Sequence, residues 1–280
     1  MARTPASRVL GAQDLEEVRA LLARNPVEDV FIGSRVESCG LDPWRLGAEI
    51  WGFGERGELT SLCYAGANLV PAQAGAEAVH AFAERARRQG RRCSSIVGSA
   101  QAALGLWTLL EPMWGPAREV RPSQPLMAID DAPDVEADPQ VRRVLPHEID
   151  VLLPACVAMF TEEVGVSPLA GDGGSLYRAR VEEIIALGRA FARIEGGAVL
   201  FKAEIGAATR DVCQVQGVWV HPSLRGRWVG ATGTAAVVEQ AQASIAPVVS
   251  LYVNDYNVAA RRAYERVGFR QVGTFASVLF

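Results

Sequence analysis

The sequence predicts an α+β protein made of two copies of one unit, each a mixed, mostly antiparallel twisted sheet flanked by helices. Three observations carry this. The chain has 280 residues, too many for one small domain and enough for two of roughly 140. Apolar residues make up 49% of it and charged residues 21%, which suits a substantial core and excludes a disordered chain. The order strand, helices, hairpin, helix, strand, helix, strand reads twice, on either side of an acidic segment bearing two prolines.

In the first half, residues 8–10 begin a strand, and Asp14 caps a helix that runs to Ala23. Residues 50–53 and 59–65 read as a hairpin, followed by a helix over 75–89, a strand over 93–97, a helix over 100–110 and a last strand over 126–129. The stretch Asp130-Asp131-Ala132-Pro133-Asp134-Val135-Glu136-Ala137-Asp138-Pro139 has linker composition. Domains are therefore expected at 1–130 and 140–280, joined by 131–139. The second half opens with a strand over 141–145, then Pro146 and a helix through Met159. A second helix over 177–187 carries Val181, Ile184, Ile185 and Leu187 on one stripe. Residues 190–195 and 198–205 form a hairpin across Gly196-Gly197, and 213–220 adds a third antiparallel strand. A buried strand over 248–253, a helix over 257–267 and a strand over 271–280 that closes the sheet complete the unit.

Several function classes are disfavoured. The formal net charge of −4 gives no basic footprint for nucleic acid. Arg85, Arg87, Arg88, Arg91 and Arg92 cluster at a helix end, where cations suit the dipole on a solvated face. Lys202 is the only lysine among 28 basic residues, a chain-wide bias that locates no site. The five cysteines are scattered without a C-x-x-C pair, the start Met1-Ala2-Arg3-Thr4-Pro5-Ala6-Ser7 has no apolar signal region, and no apolar run approaches the ~18 residues of a membrane span. A cytoplasmic protein with no membrane partner is expected. His80, His147 and His221 lie far apart, so no metal is expected. The G-x-G-x-x-G of Gly52 to Gly57 is followed by a strand rather than the helix a dinucleotide site needs, and reads as a hairpin turn.

The most telling stretch follows the strand ending Val218-Trp219-Val220. After His221-Pro222 comes Arg225-Gly226-Arg227-Trp228-Val229-Gly230, and then a helix opening at Ala231. A glycine- and arginine-bearing loop at a helix start leaves amides unpaired where the dipole is positive, a berth for a phosphate-bearing ligand. The loop resembles the acyl-coenzyme-A loop of the GNAT N-acetyltransferase superfamily, Arg/Gln-x-x-Gly-x-Gly/Ala, with Trp228 in place of the first glycine. A second GNAT signature, Asn-x-x-Ala-x-x-x-Tyr-x-x-x-Gly-Phe, is matched by Asn257, Ala260, Tyr264, Gly268 and Phe269. The resemblance covers residues 140–280. The first half is similar to the family in layout alone, as in two-domain bacterial proteins with a degenerate first GNAT-like domain.

The resemblance implies acetyl transfer from acetyl-CoA to a primary amine, by direct attack, the acceptor being a small molecule or a peptide or protein amine. It implies that Arg225, Arg227 and the amides of Gly226, Arg227, Trp228, Val229, Gly230 and Ala231 hold the diphosphate. Val218, Trp219 and Val220 would pair with the pantetheine amides, a backbone N–H near Val220 would polarise the thioester, and Asn257, with Ala260 of its signature, would meet the pantetheine arm. Tyr264 would donate to the departing sulfur, orienting more than protonating it. A lysine-like acceptor costs about 4.6 kcal/mol to deprotonate at pH 7 and an α-amine only about 1. Glu204 leads the candidate bases, with Glu162, Glu163, Asp255 and the Phe280 carboxylate as alternatives. Residues 161–169 would border the acceptor pocket, and 170–175 are expected to serve as a lid. The Trp228 indole points either outward, which spares the berth, or inward, which fills it. In the first half Pro71-Ala72-Gln73-Ala74-Gly75 replaces the loop without its arginines, so that phosphate site is expected to be lost. A non-catalytic acyl-CoA-binding or protein-interaction module is the competing expectation.

Overall fold

The computed structural model describes residues 7–55, 57–170 and 174–280. Its contacts divide the chain into two compact units. One comprises the chain to Met127 with Tyr252–Tyr256 and Gln271–Phe280, and the other Ala128–Leu251 with Asn257–Arg270.

The first unit runs β1 (Arg8–Val9), α1 (Leu15–Leu22), α2 (Val30–Cys39), α3 (Pro43–Leu46), β2 (Glu49–Glu55), β3 (Glu58–Ala65), β4 (Asn68–Ala72), α4 (Ala76–Gln89), β5 (Ser95–Ser99), α5 (Ala100–Trp114) and β6 (Glu119–Ile129). Strands β1 to β4 pair antiparallel in order, and β4 and β5 pair parallel around α4. Apolar side chains fill both faces of this sheet. Trp51, Phe82, Ile96, Leu106 and Leu110 pack under α4 and α5, while Leu10, Val18, Leu21, Ile50 and Leu62 pack under α1 and α2. Asp14 precedes α1, but its carboxylate takes the Gly11 amide and Arg8 rather than the amides of the helix it was expected to cap. Gly52, Gly54 and Gly57 lie in the β2–β3 hairpin, where Gly54 at φ +121° adjoins a register shift.

The second unit runs β7 (Arg142–Arg143), α6 (Ile149–Val164), α7 (Ser175–Ala186), β8 (Ala190–Glu195), β9 (Ala198–Ala208), β10 (Val212–Val220), α8 (Val229–Ser244), β11 (Val248–Tyr252) and α9 (Val258–Val267), and leads into β12 (Arg270–Leu279). It repeats the first plan: β7 to β10 are antiparallel, and β10 and β11 pair parallel around α8. Leu152, Cys156, Val181 and Ile185 carry α6 and α7 onto one sheet face. On α8, Gly233 allows close approach, since a Cβ there would stand 2.6 Å from the Phe201 ring.

Two expectations are revised. Residues 271–280 do not close the second unit's sheet: β12 pairs antiparallel with β5, Phe275 opposite Ser99 through Leu279 opposite Ser95, inside the first unit. The 131–139 segment lacks regular structure but is fastened to the second unit, Asp134 N donating to Val267 O and Asp138 N to Thr232 O at 2.9 and 3.0 Å. Of the lid expected over 170–175, residues 171–173 lie outside the described residues, and Ser175 opens α7. No helix among the described residues is long and apolar enough to cross a membrane.

Candidate functional site

Strand β10 builds the site through two departures from regular pairing. Its register with β9 slips between Gln216, opposite Glu204, and Trp219, opposite Lys202, so β10 holds one extra residue there. Gly217 makes this bulge possible: its φ is +60°, and a Cβ would come within 3.1 Å of Lys202 Nζ and Met159 Cε. Such a bulge leaves one residue out of the ladder. On the other side, β10 and β11 pair only from Val212–Val248 to Gln214–Ser250. Beyond Gln214 they part, and the edge carrying Val218, Trp219 and Val220 is open for an extended ligand to pair with.

The strand runs into a 3-10 turn at Pro222–Leu224, capped by His221. Gly226 follows at φ +75° and Trp228 at φ +67°, ψ −9°. Trp228 thus takes the left-handed conformation for which glycine is suited, at a cost of roughly 1–2 kcal/mol. Its indole is 58% exposed and stacks under the Arg266 guanidinium, 4.6 Å from the ring centroid. Of the two directions open to it, the ring takes the outward one. The first donors of α8's ladder are Ala231 N and Thr232 N, both to Trp228 O at 2.9 and 3.0 Å. The Val229 and Gly230 amides precede them and emerge at the positive end of the helix.

Arg227 stands exposed beside these amides, whereas Arg225 is engaged. Its Nη2 donates to both oxygens of Glu162, at 3.1 and 2.7 Å, and its Nε to Val220 O at 3.1 Å. Trp219 Nε1 also donates to Glu162, at 3.3 Å. Glu162, an alternative base, is here the anchor of the loop arginine.

Helix α9 is capped by Asn257, whose side-chain oxygen accepts from Ala260 N at 3.1 Å. Tyr264 is buried, and its hydroxyl takes no hydrogen-bond partner among the described residues. Burial, with the Glu163 charge adding to it, pushes the phenol well above its ordinary value of 10. It stays protonated at any working pH and offers a hydrogen bond.

Glu204 lies behind the bulge. It meets Lys202 Nζ at 3.4 Å and accepts from Gln216 Nε2 at 2.8 Å. Burial raises the Glu204 carboxyl, but Lys202, Gln216 and Arg180 outweigh burial and hold it below its usual value. Burial likewise lowers the Lys202 ammonium, but Glu204 and Cys156 outweigh it and the net direction is upward. The two form a buried, ionised pair, and a carboxylate so held is a weak base. Lys202 was not singled out as a site residue. Its signal was present: one lysine inside Val199-Leu200-Phe201-Lys202-Ala203, two residues before Glu204 on the same strand face. Asp255 and Phe280 belong to the first unit, where the Asp255 amide donates to Ser123 O and the Phe280 ring edges onto Trp107 and Trp114.

Comparison with known proteins fits this geometry. Residues 169–269 match the acetyltransferase (GNAT) family, and residues 48–152 match a domain of unknown function, DUF4081. No curated protein matches the chain. A GCN5-related N-acetyltransferase from Sphaerobacter thermophilus shares the fold at a TM-score of 0.59 and 17% identity, over 99% of this chain and 95% of that one. A GNAT-family acetyltransferase from Colwellia psychrerythraea gives 0.56 at 14% identity over 98% and 99%. A tandem GNAT protein of the clavulanic acid biosynthesis pathway gives 0.55 at 16% over 98% of each. At these identities the likeness is one of fold.

Proposed function

Because the chain carries a GNAT-family acetyltransferase domain, we propose that it transfers an acetyl group from acetyl-CoA to a primary amine by direct attack. The observation that carries this reading is the parting of β10 from β11 beside the left-handed turn that opens α8. The open edge at Val218, Trp219 and Val220 holds the pantetheine amides. The Gly226 to Gly230 backbone and Arg227 hold the diphosphate, the Ala231 amide being already engaged by Trp228 O, and Arg225 joins them when it leaves Glu162. A backbone N–H freed near the bulge polarises the thioester carbonyl. The neutral amine attacks the carbonyl carbon, the carbon–sulfur bond breaks, and the attacking nitrogen gives its proton to water. Tyr264 donates a hydrogen bond to the departing thiolate. With Glu204 bound to Lys202, an α-amine, cheap to deprotonate at neutral pH, suits the site better than a lysine-like amine. Free cysteines at all five positions suit a reducing cytoplasm.

Isothermal titration with acetyl-CoA, followed by a thiol-release assay over α-amines, polyamines and peptides, tests the reading. Failure to bind acetyl-CoA sinks it. Tyr264→Phe is expected to lower kcat about tenfold to a hundredfold while leaving the KM for acetyl-CoA within about twofold, the loss of one hydrogen bond made to developing charge. No limb of the pH–rate profile between pH 6 and 10 should belong to Tyr264, because its proton is retained throughout that range. Glu162→Gln should free Arg225 and tighten acetyl-CoA about two- to fivefold, the worth of an exposed ion pair, with a steeper salt dependence. Unchanged affinity would mean that Arg225 does not reach the diphosphate.

A second reading, a non-catalytic acyl-CoA-binding or protein-interaction module, is favoured by the enclosure of Glu204. Tight acetyl-CoA binding without thiol release for any acceptor would establish it.

A further inference from the structure

The first unit contains a cavity of about 470 Å³, bounded by the start of β2, the β3–β4 turn and the C-terminal ends of α4 and α5. That volume lies within the ~300–1,000 Å³ of ordinary small-molecule sites. No residue of the β10–α8 site lines it. Three of the chain's six tryptophans do: Trp44, Trp51 and Trp114. Trp44 is 96% exposed on a four-residue helix, where its indole contributes nothing to the core. An exposed indole beside two others makes a surface suited to a flat or branched apolar group.

The polar groups of the cavity define what that group must carry. Glu49 is fixed by Trp51 Nε1 at 2.7 Å and Gln89 Nε2 at 3.0 Å, both donating to Oε2. The Trp51 bond holds its carboxyl below the usual value against the opposing pull of burial, with help from Gln89, Arg85 and Arg92. Among the described residues Oε1 accepts no hydrogen bond, so an ionised oxygen remains for a donor. Arg92 lines the same cavity and forms no ion pair among the described residues, with Glu49 or with any other carboxylate. The cavity therefore presents one anionic acceptor, Glu49, and one cationic donor, Arg92. A simple amine would satisfy Glu49 and leave Arg92 unmatched. A simple carboxylate would leave Glu49 unmatched. A zwitterion with an apolar body meets both.

We propose that this cavity binds a free α-amino acid with a large apolar side chain: its ammonium on Glu49, its carboxylate on Arg92, its side chain among the indoles. The site is separate from the transferase reading and stands or falls without it. Calorimetric titration of the full-length protein with L-phenylalanine and L-leucine tests it, with 2-phenylethylamine and 3-phenylpropionate as probes that each lack one charge. L-Phenylalanine should bind at least about tenfold more tightly than either, since each charge-assisted bond lost is worth that much or more. Glu49→Gln should weaken it by about tenfold or more. Trp44→Ala, which removes a side chain the fold does not enclose, should weaken it severalfold without change in circular dichroism. Tyr264→Phe and Arg225→Ala should leave it unaltered. The proposal is overturned by silence with both amino acids, by equal binding of the amine, or by indifference to both Glu49→Gln and Trp44→Ala. Loss of binding in Tyr264→Phe overturns it as well, because it would put the amino acid in the transfer site as an acceptor.

Discussion

Glu204→Gln is expected to destabilise the second unit by about 3–5 kcal/mol, the cost of leaving a buried charge without its partner. The substitution keeps shape and volume and removes only the negative charge. Lys202 is then 1% exposed with no counter-charge and must either stay ionised in the interior or lose its proton. At pH 7 the second course alone costs about 4.6 kcal/mol for an ordinary lysine. Urea unfolding followed through Trp219 should show the shift. The double variant Lys202→Met/Glu204→Gln should recover most of it, since removing both charges removes the imbalance. A single variant that unfolds at the wild-type midpoint would disprove the pair. The pH dependence carries the same sign on both sides. Glu204 lies below its ordinary 4.5 in the fold, so its share is present above that value and lost as pH falls through the folded one. Lys202 lies above its ordinary 10.5, so its share is present below that value and lost as pH rises through the folded one. The double variant also decides the chemistry. If it folds and still releases thiol within about tenfold of wild type, Glu204 is a structural charge; a loss nearer the ~10²–10⁴-fold typical of a missing general base would make it the base.

The parts of this site that were legible in the sequence are those coded by local pattern. The Arg225–Gly230 loop, the Asn257–Phe269 signature and the β8–β9 hairpin across Gly196-Gly197 each depend on neighbours in the chain. Elements with conflicting local signals were missed. Helix α2, Val-Phe-Ile-Gly-Ser-Arg-Val-Glu-Ser-Cys, is rich in β-branched residues and holds a glycine, so packing of Val30, Ile32 and Val36 forms it against propensity. Strand β4 contains Pro71, which lacks an N–H; it is tolerated because pairing with β5 is confined to Asn68 and Leu69, short of the proline. The destination of β12 was illegible for a different reason. Alternation identifies a strand but not its neighbour, and Phe275–Leu279 meets Ser95–Ser99 only through the tertiary fold. Trp228 shows the limit at one residue. A left-handed tryptophan costs about as much as an Arg266 cation–π contact and outward solvation can offset, a balance no motif encodes.

Asp29→Asn should stabilise the first unit at neutral pH by on the order of 4 kcal/mol, and the reason lies in what replaces the phosphate loop there. Where β10 reaches α8 through residues 221–228, β4 reaches α4 through Gln73, Ala74 and Gly75 alone. Gln73, at φ +50°, turns its side chain inward and donates from Nε2 to Leu21 O and to Asp29 Oδ2, both at 2.7 Å. The turn is thereby drawn onto the ends of α1 and α2, and the amide berth of the second unit has no counterpart in its shape. Burial raises Asp29 from 3.8 to about 7; Gln73 opposes this and Glu28 adds to it. A carboxyl raised on folding binds its proton more tightly folded than unfolded. Its stabilising share is therefore full below the unfolded value and falls as pH rises from 3.8 to about 7, after which the deficit is constant. Asparagine keeps an oxygen for Gln73 and carries no charge, so it escapes the deficit. The advantage of Asp29→Asn over wild type should be about 1–2 kcal/mol at pH 5 and should reach its full size by pH 8. Paired urea titrations at the two values isolate it, because every other titrating group is common to both proteins. An advantage that does not grow with pH would show that Asp29 is ionised in the fold at acid pH, held by something stronger than one glutamine.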